Sequence, residues 1–535
     1  MTECNIKLPG SQTVLNESLE KVQTHSAELV EKSLQNITTH LLLLCGLVIL
    51  MSYLQFLWQN RRLYWYSWKT PGPIGLPYIG IGYKFVSRDI SALLQVVYDI
   101  QVTYPKVAVA WFGPRLYYLP SKPEYIEKIF KSQAALNKAH VYQFTNDIGD
   151  GLLNLGDKVW KIHRRTINQA FNQKVLNTFQ DIFLQKSEIF ADVLQKEVGN
   201  KNIELYTLLA GCTMDMVCET ALGVNMNVQI SKEVEFVKAI NKVLEITSIR
   251  TFHVWHQLRF TWKLYPLSRE FDKALKDFED FLRSVISNKR KDFALKSSRK
   301  NCSLQNDKAL AVEEEPRIAF LDLIDNDNFT ERELIDEIKT FFLAAVDTTA
   351  STLCSLFAML GMHPDIQQKV FEEAVDILGP DRRSFPEDIQ KMTYLERVLK
   401  ETLRLFPGIP LLGRRLVEDI DGGDMVFPKG CSIIVGSVFL GRNPAYWPDP
   451  LKFDPDRFLP ENIAKRHPCA YLPFSYGPRN CIGGKYGMIN MKTIVATIIR
   501  RFKIFTEYKS VEEIKLSTYL ILRLRDGPKV WLEPR

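Results

Sequence analysis

Apolar residues are distributed unevenly along the chain. Residues Leu41–Trp58, LLLLCGLVILMSYLQFLW, carry no charge across 18 positions, and only Gly46, Ser52 and Gln55 interrupt them. At about 1.5 Å per residue, a helix here is roughly 27 Å long, just short of the bilayer's hydrocarbon core. Thr38–His40 can supply the missing turn. The pattern predicts a transmembrane anchor over 41–58, with a buried core helix as the alternative. A cleavable signal peptide would begin earlier and end in small residues, whereas Arg61 and Arg62 follow this run. Trp58, Tyr64, Trp65, Tyr66 and Trp68 suit an interfacial aromatic belt. From 84 to 412 the apolar spacing is mostly helical, with short strand-like pieces such as Val107–Phe112. Residues 293–317 are polar and charge-rich and predict a surface loop. Beyond 412, loops rich in proline and glycine dominate, and Tyr519–Leu532 alternates around Asp526-Gly527, predicting a hairpin. The fold class that follows is mainly α with small β-sheets, plus one N-terminal transmembrane helix.

Residues 71–82, PGPIGLPYIGIG, predict a stiff hinge. Gly80-x-Gly82-x-x-Phe85 superficially matches a dinucleotide fingerprint. It lacks the third glycine and the preceding strand, so it reads as a turn. The organisation expected is a lumenal tail 1–40, the anchor 41–58, an interfacial and hinge segment 59–82, and a folded body 83–535.

Composition narrows the classes. With 46% hydrophobic and 24% charged residues among 535, the chain can bury a large core and is not disordered. A net charge of +7 is too mild and dispersed for a nucleic-acid binder, and 9 cysteines cannot form a disulfide-dense scaffold. The charge is also asymmetric. Residues 1–40 hold 3 lysines against 5 glutamates, leaving 66 basic against 57 acidic residues elsewhere. The positive-inside rule then places the tail in a lumen and the body in the cytosol as a single-pass protein. Of the glycosylation sequons at Asn16 and Asn36, Asn16 is the fair candidate because Asn36 sits very close to the membrane.

One loop carries chemistry: Phe474-Ser-Tyr-Gly477-Pro-Arg479-Asn-Cys481-Ile-Gly483. Its glycines let backbone approach a flat partner and donate N–H groups to sulfur. Arg479 supplies a cation, and the following helix, expected over Lys485–Arg500, places Cys481 near an N-terminus that favours thiolate. The bland reading is a buried cysteine. A zinc site with His467 and Cys469 fails on spacing. The full pattern Phe-x-x-Gly-x-Arg-x-Cys-x-Gly resembles the haem-binding signature of the cytochrome P-450 family.

That resemblance gives other motifs a meaning. Glu401 and Arg404, within Thr393–Phe406, and Arg457, within Phe453–Phe458, resemble the family's structural triad, which would hold the cysteine loop in place. Trp160 and Arg164 match its Trp-x-x-x-Arg helix; with Arg479 and Arg414 they would bind haem propionates, and Arg165 and Arg415 adjoin them closely enough to swap roles. The resemblance also makes Phe474 and Gly483 part of the haem-binding loop and Cys481 the iron ligand. A helix predicted to start at a capping box, Thr330 and Glu333, runs through Asp347-Thr348-Thr349. Thr348 would orient bonds to dioxygen and Asp347 would relay protons, against a bland alternative of threonine back-bonding within the helix. Phe341, Phe342, Leu411 and Leu412 would border a lipophilic distal pocket.

Finer stretches, such as CTMDMVCETALG (212–223), are similar to the fatty-acid ω-hydroxylases of family 4, a branch expanded in insects. Ala344-Ala345-Val346 stands where that branch often has Glu-Gly-His, and Gly441 where histidine is common. Without a carboxylate at 344, the haem b expected here is non-covalent. The resemblance implies a monooxygenase fed by an NADPH-cytochrome P-450 reductase, with cytochrome b5 as a second donor. Lys161, Arg165 and Lys485 would meet the reductase, and Trp255–Pro266 either dips into the lipid membrane or packs in the core. Two rivals remain: a haem-thiolate isomerase or lyase acting on lipid peroxides, and a non-catalytic haem- or lipid-binding membrane protein.

Overall fold

The helix Glu331–Met362 starts at a reciprocal cap: Thr330 Oγ1 accepts from the Glu333 N–H at 3.3 Å, and the Glu333 carboxylate accepts from the Thr330 N–H at 2.9 Å. The computed structural model describes residues 11–85, 91–231, 235–252, 259–303, 319–325, 329–379, 382–518 and 520–535. They fall into two units, divided after Tyr66.

In the first unit, a helix spans Ser11–Gln59, well beyond the anchor read from the apolar run. Thr24–Gln59 is long and apolar enough to cross a membrane. Leu42, Leu43 and Ile49 are 69%, 65% and 62% exposed, so this segment is not a buried core helix.

The second unit is built around Glu331–Met362, whose Leu353, Leu356, Phe357 and Leu360 are fully buried. Each such side chain contributes about 1.5–3 kcal/mol of transfer free energy. Packed against it are the helices Leu205–Val217, Pro364–Leu378, Thr393–Leu405 and Gly484–Arg501, together with the strands Phe502–Thr506 and Leu522–Leu524. A four-stranded sheet runs in the order Val107–Phe112, Arg115–Pro120, Ser432–Gly436, Leu411–Arg415. The proline-rich segment docks on its first strand: the Val109 N–H donates to Pro71 O at 3.0 Å and the Ile81 N–H to Trp111 O at 2.6 Å. A 3-10 turn, Gly82–Phe85, begins at the second glycine of Gly80-x-Gly82, so among the described residues no phosphate-binding strand–helix unit forms there.

Two expectations are overturned. Residues 293–303 belong to the helix Pro266–Ser303, because lysine, arginine and alanine are good helix formers and neither proline nor glycine interrupts them; 304–318 lie outside the described residues. The terminal hairpin does not form either. Leu522–Leu524 pairs with Leu516–Thr518, while Val530–Pro534 pairs with Phe502–Thr506 in a five-residue antiparallel register. Gly527, at φ +73°, turns the chain between two sheets. Tyr519 and residues 253–258 of the proposed membrane-dipping stretch lie outside the described residues; Arg259–Leu264 is helical.

Candidate active site

The cysteine loop is fixed from both ends. Gly477 has φ +74°, and a side chain there would fall on the Phe130 carbonyl oxygen, so only glycine fits. The Cys481 N–H donates to Phe474 O at 2.8 Å, and the helix Gly484–Arg501 begins three residues later. The Gly483 N–H donates toward the Cys481 sulfur. Burial pushes the thiol up, and Gly483, Arg164 and Lys138 oppose that shift. Arg479 therefore acts elsewhere than on the thiol. Its guanidinium donates to the carbonyls of Leu136, Leu152 (3.1 Å) and Leu155 (3.0 Å) and lies 4.8 Å over the Trp160 ring.

Cys481 opens onto an internal cavity of about 560 Å³. Phe474 and Gly483 line it beside the cysteine, and Phe341, Ala344, Thr348, Leu411 and Leu412 line it from the long helix and the sheet. Phe342 does not border it. One position along the helix turns that ring the other way, into the core against Phe278 at 6.0 Å. The Thr348 hydroxyl donates to Ala344 O at 2.6 Å, so the helix-internal bond weighed against its functional role is present.

Four cations cluster here: Lys138, Arg164 and Arg479 line the cavity, and Arg414 lies close enough to repel Lys138 and Arg479. Among the described residues none forms an ion pair with a carboxylate. Arg164 donates to Asn480 O at 2.8 Å, and Arg414 to Ser475 Oγ at 3.0 Å. Burial, then repulsion from Arg414 and Arg164, pushes Arg479 down to about 9; burial pushes Arg414 down to about 10. Burial, then repulsion from Arg414 and Arg479, holds Lys138 well below the usual lysine range. Uncompensated buried cations demand an anion. Arg165 and Arg415 are exposed, which settles which member of each adjacent pair faces inward.

The Glu401–Arg404 pair is fully buried, with bonds of 2.6 and 2.8 Å, and Arg457 Nε lies 3.4 Å from Glu401. Arg404 also donates to Gly441 O and Pro450 O, both at 2.6 Å, and Glu401 accepts from the Asp454 N–H at 2.8 Å. The group thus directly fixes segment 441–454, upstream of the cysteine loop. Gly441, the apparent departure, has no room for a side chain: a Cβ would sit 2.3 Å from Arg404 O.

The comparisons with known proteins bear on this arrangement. The Cytochrome P450 family matches residues 70–530. The chain belongs to the cytochrome P450 family. It is 34% identical to cytochrome P450 4c3 of Drosophila melanogaster, over 89% of this chain and 91% of that one. It is 30% identical to cytochrome P450 4V2 of Rattus norvegicus, over 91% and 94%. A crystal structure of a cytochrome P450DA mutant heme domain superposes with a TM-score of 0.72 at 19% identity, covering 87% of this chain and 98% of that one, and shows the same fold. The protein is therefore a haem-thiolate enzyme of the monooxygenase class, with cysteine-ligated haem b as its cofactor. The cavity fits that group: one thiol and three cations on its lining, with Arg414 beside them, can meet an iron and acidic propionates, and most other lining side chains are apolar.

Three features escaped the motifs. Lys138 belongs to none of them. Glu337 lines the cavity and bonds His163 Nδ1 at 2.7 Å and the Leu152 N–H at 2.9 Å; only the helical spacing of 331–362 signalled which residues share its face. Arg523 sat inside the misread hairpin.

Proposed function

We propose that this cytochrome P450 is a membrane-anchored monooxygenase that places one oxygen atom of O2 into a C–H bond of a lipophilic substrate. Cys481 is the iron ligand, and Trp160, Arg164, Arg414, Phe474, Arg479 and Gly483 hold the haem. The haem, once bound, supplies the oxygen chemistry. The chain's own residues bind, orient and meter protons. Arg164 and Arg414, with Lys138 added to the set read from the motifs, neutralise the propionates, while Arg479 braces Trp160 and the 152–155 carbonyls. Thr348 orients hydrogen bonds on the cavity side of the long helix. Asp347 takes up and releases protons beside it. Glu401, Arg404 and Arg457 hold the scaffold. The observation that carries the reading is the placement of Cys481, Thr348 and the uncompensated cations around one largely apolar cavity.

Electrons come from NADPH through a flavoprotein reductase, with cytochrome b5 as a second donor. Exposed Lys161, Arg165 and Lys485 offer a basic landing face. The domain plan is tail 1–40, anchor 41–58, hinge 59–82 and catalytic body 83–535, in the endoplasmic reticulum membrane with a lumenal N-terminus. Support comes from the exposed apolar helix and the charge difference across it.

The test is the reduced carbon-monoxide spectrum of wild type and Cys481→Ala. A thiolate-type band is expected in the wild type and its loss in the variant; an imidazole-type band in the wild type would sink the assignment. NADPH consumption with reconstituted reductase and a candidate lipid separates a monooxygenase from its rivals. A lyase would instead turn over a lipid hydroperoxide without NADPH, and a binding protein would do neither.

A further inference from the structure

Asp347 is 4% exposed, and its carboxylate is paired with a residue 176 positions away in the sequence. One terminal nitrogen of Arg523 donates to both carboxylate oxygens, at 2.7 and 2.9 Å, and to Tyr206 Oη at 2.6 Å. The guanidinium carbon lies 4.3 Å over the centroid of the Tyr206 ring. The Arg523 side chain is 34% exposed and that of Asp347 6%, so the pair bridges from accessible surface into the core.

The backbone that carries Arg523 is held on three sides. Ser517 pairs with it across the strand, Leu522 donates to Gly408 O at 2.9 Å, and the Ser351 hydroxyl of the long helix donates to Leu522 O. The guanidinium is thus placed against the long helix by strand geometry as well as by its own flexible stem. The charged or titratable groups facing Asp347 are Arg523 from the strand, Tyr206 from the helix Leu205–Val217, and Cys354 on the same helix. Only Arg523 is a cation. Burial raises the Asp347 carboxyl and Arg523 opposes it. Without a cation, a carboxylate this deeply buried takes up a proton and stays neutral. The adjoining Thr348 hydroxyl already donates to Ala344 O, so a proton passing through it needs a donor next door.

We propose that Arg523 is the positioning residue for proton delivery: it keeps Asp347 ionised between turnovers and oriented so that a proton arriving from the solvent side, beside Tyr206, reaches the carboxylate. The incoming proton bonds to a carboxylate oxygen as that oxygen's bond to Arg523 breaks. Release toward Thr348 regenerates the carboxylate and the ion pair, and Arg523 keeps its own proton throughout. This inference rests on the reading of Asp347 as the relay acid.

The test uses the haem-loaded protein with reductase, comparing wild type, Arg523→Gln, Arg523→Lys and Asp347→Asn. Two readouts are taken: the solvent deuterium isotope effect on NADPH-driven oxygen consumption, and the infrared carboxyl stretch at neutral pH. Arg523→Gln is expected to show a protonated-carboxyl band that vanishes when Asp347→Asn is added. It should also slow oxygen consumption by roughly tenfold, less than the about 10²-fold expected for losing an acid–base group outright. Arg523→Lys should restore both readouts. If Arg523→Gln or Arg523→Lys shows otherwise while Asp347→Asn still slows turnover, the inference is overturned and the relay reading stands. An Asp347→Asn enzyme with unchanged rate and isotope effect would overturn both. Should Arg523→Gln fail to bind haem, Arg523→His decides the matter. The carboxyl band should then persist to higher pH than in the wild type, because a cation that can lose its own proton holds the carboxylate less firmly; a band that disappears at the wild-type pH would refute the inference.

Discussion

Arg164 holds both oxygens of Asn480, the backbone carbonyl at 2.8 Å and the side-chain amide at 2.9 Å, one residue before Cys481. It therefore ties the cysteine loop to the helix Asp157–Asn168 besides contributing charge. Lys138 makes a looser contact, 4.9 Å over the Tyr142 ring, and supplies charge alone.

The difference predicts separable effects. Lys138→Met should speed haem dissociation by about tenfold, the equivalent of one charge-assisted hydrogen bond of ~1.5 kcal/mol, with an unchanged absorption maximum. Asn480→Ala should loosen the loop without touching charge. Arg164→Leu should show both effects, a faster haem loss and a broadened spectrum. Stopped-flow haem transfer to an apo-globin measures the first effect and absorption spectroscopy the second. Equal haem loss in Lys138→Met and wild type would remove Lys138 from the propionate set.

The buried Glu401–Arg404 pair predicts a steep asymmetry. Truncating Glu401 to alanine leaves Arg404 charged at 0% side-chain exposure, and removing one partner of such a pair costs about 3–5 kcal/mol. Arg457→Ala should cost less, because that contact is 3.4 Å long and its side chain is 10% exposed. Thermal unfolding of the haem-loaded proteins should rank them wild type, Arg457→Ala, Glu401→Ala, with the last recovered mostly haem-free. Equal losses in the two variants would contradict the assignment of Arg404 as the buried charge.

How far the sequence foretold this site depends on distance along the chain. Cys481, its glycines and Arg479 lie within ten residues, and short-range chemistry makes them recognisable. Glu401–Arg404 share one helix face, so spacing alone pairs them. Lys138 and Arg523 reach the site only through tertiary packing: Asn137 bridges to Arg415, and Leu522–Leu524 packs against the long helix Glu331–Met362. The hairpin reading failed because Phe502–Thr506 offers Val530–Pro534 a five-pair register that local alternation cannot reveal. Likewise 293–303 is helical because polarity marks exposure and does not terminate a helix.

Ala344 faces the cavity with a methyl group where the family 4 branch often carries glutamate. No carboxylate is present at that position to esterify the haem. Acid-organic extraction should therefore release haem completely from the wild type, and Ala344→Glu should retain a fraction after turnover. Retention by the wild type would mean that another carboxylate forms the bond, and Glu337, on the same cavity wall, would be the first to test by Glu337→Gln.

The orientation of the anchor is testable through its charges. Residues 1–40 carry a net −2, and Arg61 and Arg62 follow the apolar run directly. With the tail in the lumen, Asn16, some 25 residues before the run begins, is within reach of glycosylating enzymes. Expression in microsomes should give a form whose mobility increases on endoglycosidase treatment, and Asn16→Gln should abolish the shift. Arg61→Glu/Arg62→Glu combined with Glu28→Lys/Glu31→Lys reverses the charge difference across the run. It should lower the glycosylated fraction, because lysine and arginine near the ends of a span set its orientation. Protease protection supplies the complementary reading: the body should be digested in intact wild-type microsomes and protected in the charge-reversed variant. A wild-type body that resists protease would place it in the lumen and overturn the proposed topology.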